Sequence, residues 1–197
     1  MLTKDQQKWI DHLSDVDKIV IKPYDPTCHE KFEKVKTKIQ KYLGNEIELQ
    51  HCGATSLGIS GQDEIDTYLP VPEADFDKYV PKLENIFGKP RSHYPLKRTR
   101  FVTEIDGKHI DVFLINSETD GWTNGVKFEK YLRNNPEWLD KYRKLKEDGN
   151  GLSVREYYRR KIEFINLVLA KIEGLVDEKK LILAKQGKSV EGEETKF

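Results

Sequence analysis

The sequence predicts an α+β fold: a mixed β-sheet flanked by helices and followed by a helical C-terminal segment. Two observations carry this. Runs with period-two alternation, EIDTYLPV, RTRFVTEI and KHIDVFLI, fall between residues 64 and 115, as strands with one buried face require. Around them lie apolar stripes at helical spacing, such as Phe32, Val35, Ile39 and Leu43.

The elements follow in order. Thr3 with Gln6 forms a capping box ahead of Trp9, Ile10 and Leu13, a leading helix within residues 1–17. KIVIKPY, residues 18–24, alternates and reads as a strand. Asp25-Pro26 starts a helix that Gly44 stops. EIELQH, residues 46–51, is a short strand feeding a loop from Cys52 to Gly61 that is rich in Gly, Ser and Thr. The next strand, residues 62–71, puts Ile65, Thr67, Leu69 and Val71 on one face and Glu64, Asp66 and Tyr68 on the other. A helix from Phe76 to Phe87 ends at Gly88. Asp106-Gly107 then joins two strands as a tight hairpin. Ile110, Val112 and Leu114 point one way, His109, Asp111 and Phe113 the other.

The last third is helical. One segment runs from Trp122 to Arg133, and Asn135-Pro136-Glu137 caps a second with the stripe Trp138, Leu139, Tyr142 and Leu145. Ser153 with Glu156 caps a longer third helix. These boundaries divide the chain into a core, 18–118, a helical segment packed on it, 119–186, and a polar tail, 187–197.

Lys plus Arg balance Asp plus Glu at 34 each, so the zero net charge gives no bias toward a nucleic-acid partner. Two cysteines, Cys28 and Cys52, form no CxxC pair and read as reduced thiols. No apolar run approaches the ~18–20 residues that span a bilayer, and the first residues lack the apolar segment of a secretory signal. A cytoplasmic location is the expectation.

Glu64 and Asp66 project from one strand face, and Asp111 joins them across ~5 Å if the two strands are neighbours. Asp is poorly suited to a strand interior, so its place within IDVFLI calls for a reason. Three close carboxylates repel unless some are protonated or a cation neutralises them, and oxygen ligands favour Mg²⁺ or Mn²⁺. Hydroxyls and amides of the 52–61 loop suit phosphate oxygens, although no GK[ST] follows as in a P-loop. Arg98 and Arg100 share a face from which guanidinium groups can reach a triphosphate. Surface solvation is the alternative for both. His51 either orients a ligand or is structural, and His109 shares the face of Asp111.

PYDP, HCGATSLGIS, EIDTYLPV and YYRRKIEFI resemble the GrpB-like family of the nucleotidyltransferase superfamily over residues 18 to 173. The resemblance implies transfer of a nucleoside monophosphate from a nucleoside triphosphate to a hydroxyl acceptor, with Mg²⁺ held by acids. It places Gly53, Thr55 and Ser56 in the phosphate loop, and Asp66 and Asp111 at acidic positions. It also places Lys161, in a Tyr-xxx-Lys helix motif, against phosphate. Ala54 replaces a family serine, Leu57-Gly58 replaces Val-Pro, and Tyr68 stands where a second acid follows Asp66, so Glu64 is read as that acid in a Glu-Ile-Asp frame. A nucleotide-binding module without turnover is the alternative implied by those departures. The acceptor is unnamed by either reading.

Overall fold

A computed structural model of the chain describes residues 1–175. The tail from 187 onward, and the end of the helical segment after 175, lie outside the described residues. The elements are α1 (Lys4–Asp11), α2 (Cys28–Leu43), β1 (Gln50–Cys52), α3 (Gly53–Ser56), β2 (Glu64–Val71), α4 (Glu73–Phe87), β3 (Ser92–Tyr94), β4 (Arg98–Ile105), β5 (Lys108–Asn116), α5 (Asp120–Asn134), α6 (Pro136–Glu147) and α7 (Val154–Ile172).

The strands form one sheet in the order β1-β2-β5-β4-β3. β2 and β5 run parallel and the other pairs antiparallel, which is the mixed sheet expected. Asp106 and Gly107 both take positive φ, 50° and 71°, in the two-residue turn between β4 and β5, the backbone twist that Asp-Gly suits. Exposure alternates along β2 between half-buried and buried positions. Its buried face, with Ile110, Val112 and Leu114 of β5, packs against Phe32, Val35 and Ile39 of α2 and Phe76 and Leu83 of α4. The first core therefore lies on one side of the sheet.

A second cluster lies beyond the other face. Phe128 and Leu132 of α5, Trp138 and Tyr142 of α6 and Val168 of α7 close around Ile59, with Ala54 and Leu57 packed against them. The helical segment thus sits on the chain between β1 and β2. α1 keeps its full capping box, Thr3 with Gln6, and docks on α7 through Gln6–Asn166 (3.1 Å) and an edge-on Trp9–Tyr158 contact. At the start of α7, Ser153 accepts from the Glu156 amide.

Two expected strands are corrected. Residues 18–24 form no strand. Their alternation is local, and the edges of the sheet are taken by β1 and β3. Instead, the Ile19 amide donates to the Leu152 carbonyl at 3.0 Å and the Gly151 amide to the Ile19 carbonyl at 2.9 Å. Lys22 and Gly61 exchange both backbone bonds, at 2.8 and 3.1 Å. This strap ties the approach to β2 to the turn between α6 and α7. The strand expected over 46–51 shrinks to Gln50–Cys52, while Ile47 and Leu49 sink into the core ahead of it. The helix expected at Asp25-Pro26 begins at Cys28, because Asp25 Oδ1 accepts from the Thr27 amide (2.9 Å) and hydroxyl (2.6 Å) and holds a turn there.

Candidate active site

β2 and β5 pair in register with Asp66 opposite Asp111 and Glu64 opposite His109. Paired positions of neighbouring strands share a face. One oxygen from each of Glu64, Asp66 and Asp111 lies within 4.8 Å of the others. The three acids line a cavity of about 1510 Å³. Glu64 joins the cluster while Tyr68, also on this wall, stacks on Phe113 at 4.6 Å and approaches Trp122 at 5.6 Å. The Glu-Ile-Asp frame is therefore the one that brings acids together.

Burial raises the Asp66 carboxyl to about 7. The Lys161 ammonium opposes this, and the Glu64 and Asp111 charges add to it. Glu64 is raised as well, by burial and then by Asp111. Such a cluster resists full ionisation unless a cation is added. An all-oxygen donor set of this spacing suits a hard divalent ion. Arg100 already neutralises part of it: Nε and one terminal nitrogen contact the two Asp111 oxygens, each at 2.8 Å. His109 Nε2 lies 3.1 Å from Asp111 Oδ1. Arg100, expected to reach phosphate, is thus placed on an acid. Arg98 also lines the cavity, its guanidinium 5.4 Å from the Tyr94 ring and 5.6 Å from Phe113.

The loop differs from expectation. Residues 53–56 make a single helical turn, α3. Gly53, at φ 77°, brings its backbone against Asp66 Oδ2, where a Cβ would collide. Its amide donates to Glu129 Oε1 at 2.7 Å, and the Ser56 hydroxyl donates to Glu129 Oε2 at 3.3 Å. Arg133 covers Ser56 through bonds to its carbonyl (3.0 Å) and hydroxyl (2.9 Å). Thr55 is buried, within 2.9 Å of His51 Nε2 and donating to the Glu64 carbonyl at 3.3 Å. Of the three, only Gly53 lines the cavity; Thr55 and Ser56 do not. A carboxylate of α5 sits where an anion would meet the loop. His51 lines the cavity too; it stacks on Phe32 at 4.8 Å, and burial lowers its pKa to about 4.

Lys161 lines the cavity. Lys146 joins it, a residue the sequence reading did not single out. It is 4% exposed and donates to the Tyr157 hydroxyl at 3.3 Å. Burial, then the Lys161 charge, lowers its amine to about 7. The signal was present: Trp138, Tyr142 and Lys146 fall four residues apart on one helix face, and all three are buried. Glu129 gave no such signal, since its partners come from a distant turn.

The family described as GrpB protein matches residues 18–171. The fold also matches the crystal structure of conserved protein GrpB from Enterococcus faecalis, with a TM-score of 0.56 at 20% identity, covering 86% of this chain and 100% of that one. Among curated proteins, none matches. No helix among the described residues is long and apolar enough to cross a membrane.

Proposed function

Since this chain belongs to the GrpB family, which has the nucleotidyltransferase-like fold, we propose that it transfers a nucleoside monophosphate from a nucleoside triphosphate to a hydroxyl of a small molecule or protein. The observation that carries this reading is the convergence of Glu64, Asp66 and Asp111 on one cavity. Mg²⁺ or Mn²⁺ held by these acids would neutralise phosphate charge and polarise the reacting oxygens. The protein's part is positioning and electrostatics, which dominate phosphoryl-type transfers. The acceptor oxygen bonds to the α-phosphorus as the bond to the β-phosphate bridge breaks, and pyrophosphate leaves. In this reading a carboxylate of the cluster, Asp66, receives the hydroxyl proton. Tyr68, Phe113 and Trp122 supply an aromatic wall along the same cavity.

The test uses triphosphates labelled at the α-phosphate with candidate acceptors, in the wild type, Asp66→Ala and Asp111→Ala. Label transfer lost in both variants supports the mechanism. Transfer at wild-type rate in both would remove it. A second reading, a nucleotide-binding module without turnover, is favoured by two observations: Glu129 occupies the donors of α3, and Tyr68 is packed into the wall where a second acid follows in relatives. Binding of triphosphate with no product under either cation would select that reading.

A further inference from the structure

Lys146 is a buried amine to which nucleotidyl transfer gives no part. It stands on the inner face of α6 and lines the cavity, although only 4% of the residue is exposed. Its amine shares a hydrogen bond with the Tyr157 hydroxyl at 3.3 Å and lies over the rings of Tyr142 and Tyr157 at 5.3 and 6.0 Å. Among the described residues no carboxylate lies within ion-pair distance of it.

An ammonium group taken out of water without a counter-ion gives up its proton readily. The titratable and charged groups that face Lys146 are Tyr142 on its own helix, Tyr157 and Lys161 on α7, and Glu64 and Asp66 on β2. Burial and then the Lys161 charge disfavour its ammonium form, while Asp66 and Glu64 favour it from a distance. The proton shared out between the two lysines stays on Lys161. Burial works against that cation, but Tyr142, Tyr158, Tyr157 and Asp66 outweigh it and hold its pKa above the ordinary lysine value. A desolvated lysine beside a second cation is an amine made nucleophilic at neutral pH. The Tyr157 hydroxyl, which can both donate and accept, is within reach to relay a proton to and from it.

We propose that Lys146 is a nucleophilic lysine that captures carbonyl compounds, aldehydes or ketones, entering the cavity. The Nζ lone pair forms the new C–N bond, and the carbonyl oxygen takes up the proton that nitrogen loses, giving a carbinolamine. Its hydroxyl then leaves with a further proton as water, and the imine remains. Nothing is oxidised or reduced. Tyr157 is the group positioned to carry both protons. A carbonyl carbon asks only for a free amine and such a relay, whereas acyl or phosphoryl capture also needs a stabilised leaving group. This chemistry does not rest on nucleotidyl transfer, and the outcome of the label-transfer test leaves it untouched.

The experiment treats the full chain, in EDTA, with propionaldehyde and cyanoborohydride at trace conversion, from about pH 6 to about pH 9. Cyanoborohydride reduces each imine where it forms, and peptide mass spectrometry reads the propylation of every lysine. Lys144, exposed on the same helix and 3.3 Å from Asp148, is the control within the same molecule. An ordinary lysine has roughly one free amine in a few thousand at neutral pH. Lys146 should therefore react at least about tenfold faster than Lys144 near pH 7, even from inside the cavity. The ratio of the two rates should hold level below about pH 7 and fall roughly tenfold per unit above it, because Lys146 is then already deprotonated while Lys144 still gains. In urea the preference should vanish. In Lys161→Met, which removes the neighbouring cation, the break in the ratio should move to higher pH. Lys146 reacting no faster than Lys144 in the folded chain, a ratio without a break, or a break that does not move in folded Lys161→Met overturns the proposal.

Discussion

Replacing Asp66 by Asn tests how far the acid cluster is held under charge stress. Burial places the Asp66 carboxyl at about 7 in the folded chain, against an ordinary 3.8. Below the lower value both states carry the proton and the group adds no pH dependence. Between the two values the unfolded chain releases its proton while the folded chain keeps it, so stability falls as pH rises. At about 1.4 kcal/mol per pH unit, the loss reaches at most ~4 kcal/mol above neutrality. Asn has the same shape and cannot ionise, so Asp66→Asn escapes this loss. Urea unfolding of both proteins in EDTA, from about pH 5 to about pH 8, reads the difference as a shift in midpoint at constant slope. The variant should gain on the wild type by a few kcal/mol across that window. Added Mn²⁺ should close the gap from the wild-type side, because a cation favours the ionised form that only Asp offers. A stability difference that stays flat with pH would refute the account of Asp66 as a buried, repelled carboxyl.

Further expectations concern the neighbouring groups. Glu64→Gln and Asp111→Asn should each weaken Mn²⁺ binding by about tenfold or more, read by electron paramagnetic resonance titration, since each removes a charged oxygen ligand. Glu129→Ala leaves the Gly53 amide without its acceptor, while the Ser56 hydroxyl keeps the Gly53 carbonyl at 2.9 Å, and should cost about 1–3 kcal/mol in urea unfolding. Gly53→Ala meets both a positive φ and Asp66 Oδ2. It should destabilise the fold by about 1 kcal/mol or more and weaken Mn²⁺ binding as Asp66 is displaced.

The parts legible in the sequence were those fixed by short-range rules. Alternation in EIDTYLPV and KHIDVFLI placed three acids on one face, and Asp106-Gly107 located the hairpin, because side-chain period and turn chemistry are local. The parallel pairing of β2 with β5 then brought the acids together, as assumed. KIVIKPY misled because alternation states which side is buried and not what the backbone pairs with. Its partners, Gly61 and the 151–153 turn, are remote in sequence. The 52–61 loop read as a phosphate cradle from its Gly, Ser and Thr content. Yet Thr55 turned inward to His51, and Ser56 went to Glu129. Both depend on how α2 and α5 pack, which composition does not encode. Lys146 was hidden among the charges of KYRKLKE, where only its place four residues after Tyr142 set it apart.

The Asp66–Asp111 pairing has a consequence for how this chain can change. Sliding one strand past the other by a single residue would drive Asp111 into the oily layer and lift Ile110 or Val112 out of it. The spacing of the acids is therefore guarded by the same aliphatic side chains that make the sheet cohere, so drift in that hidden layer is felt first at the chemistry above it.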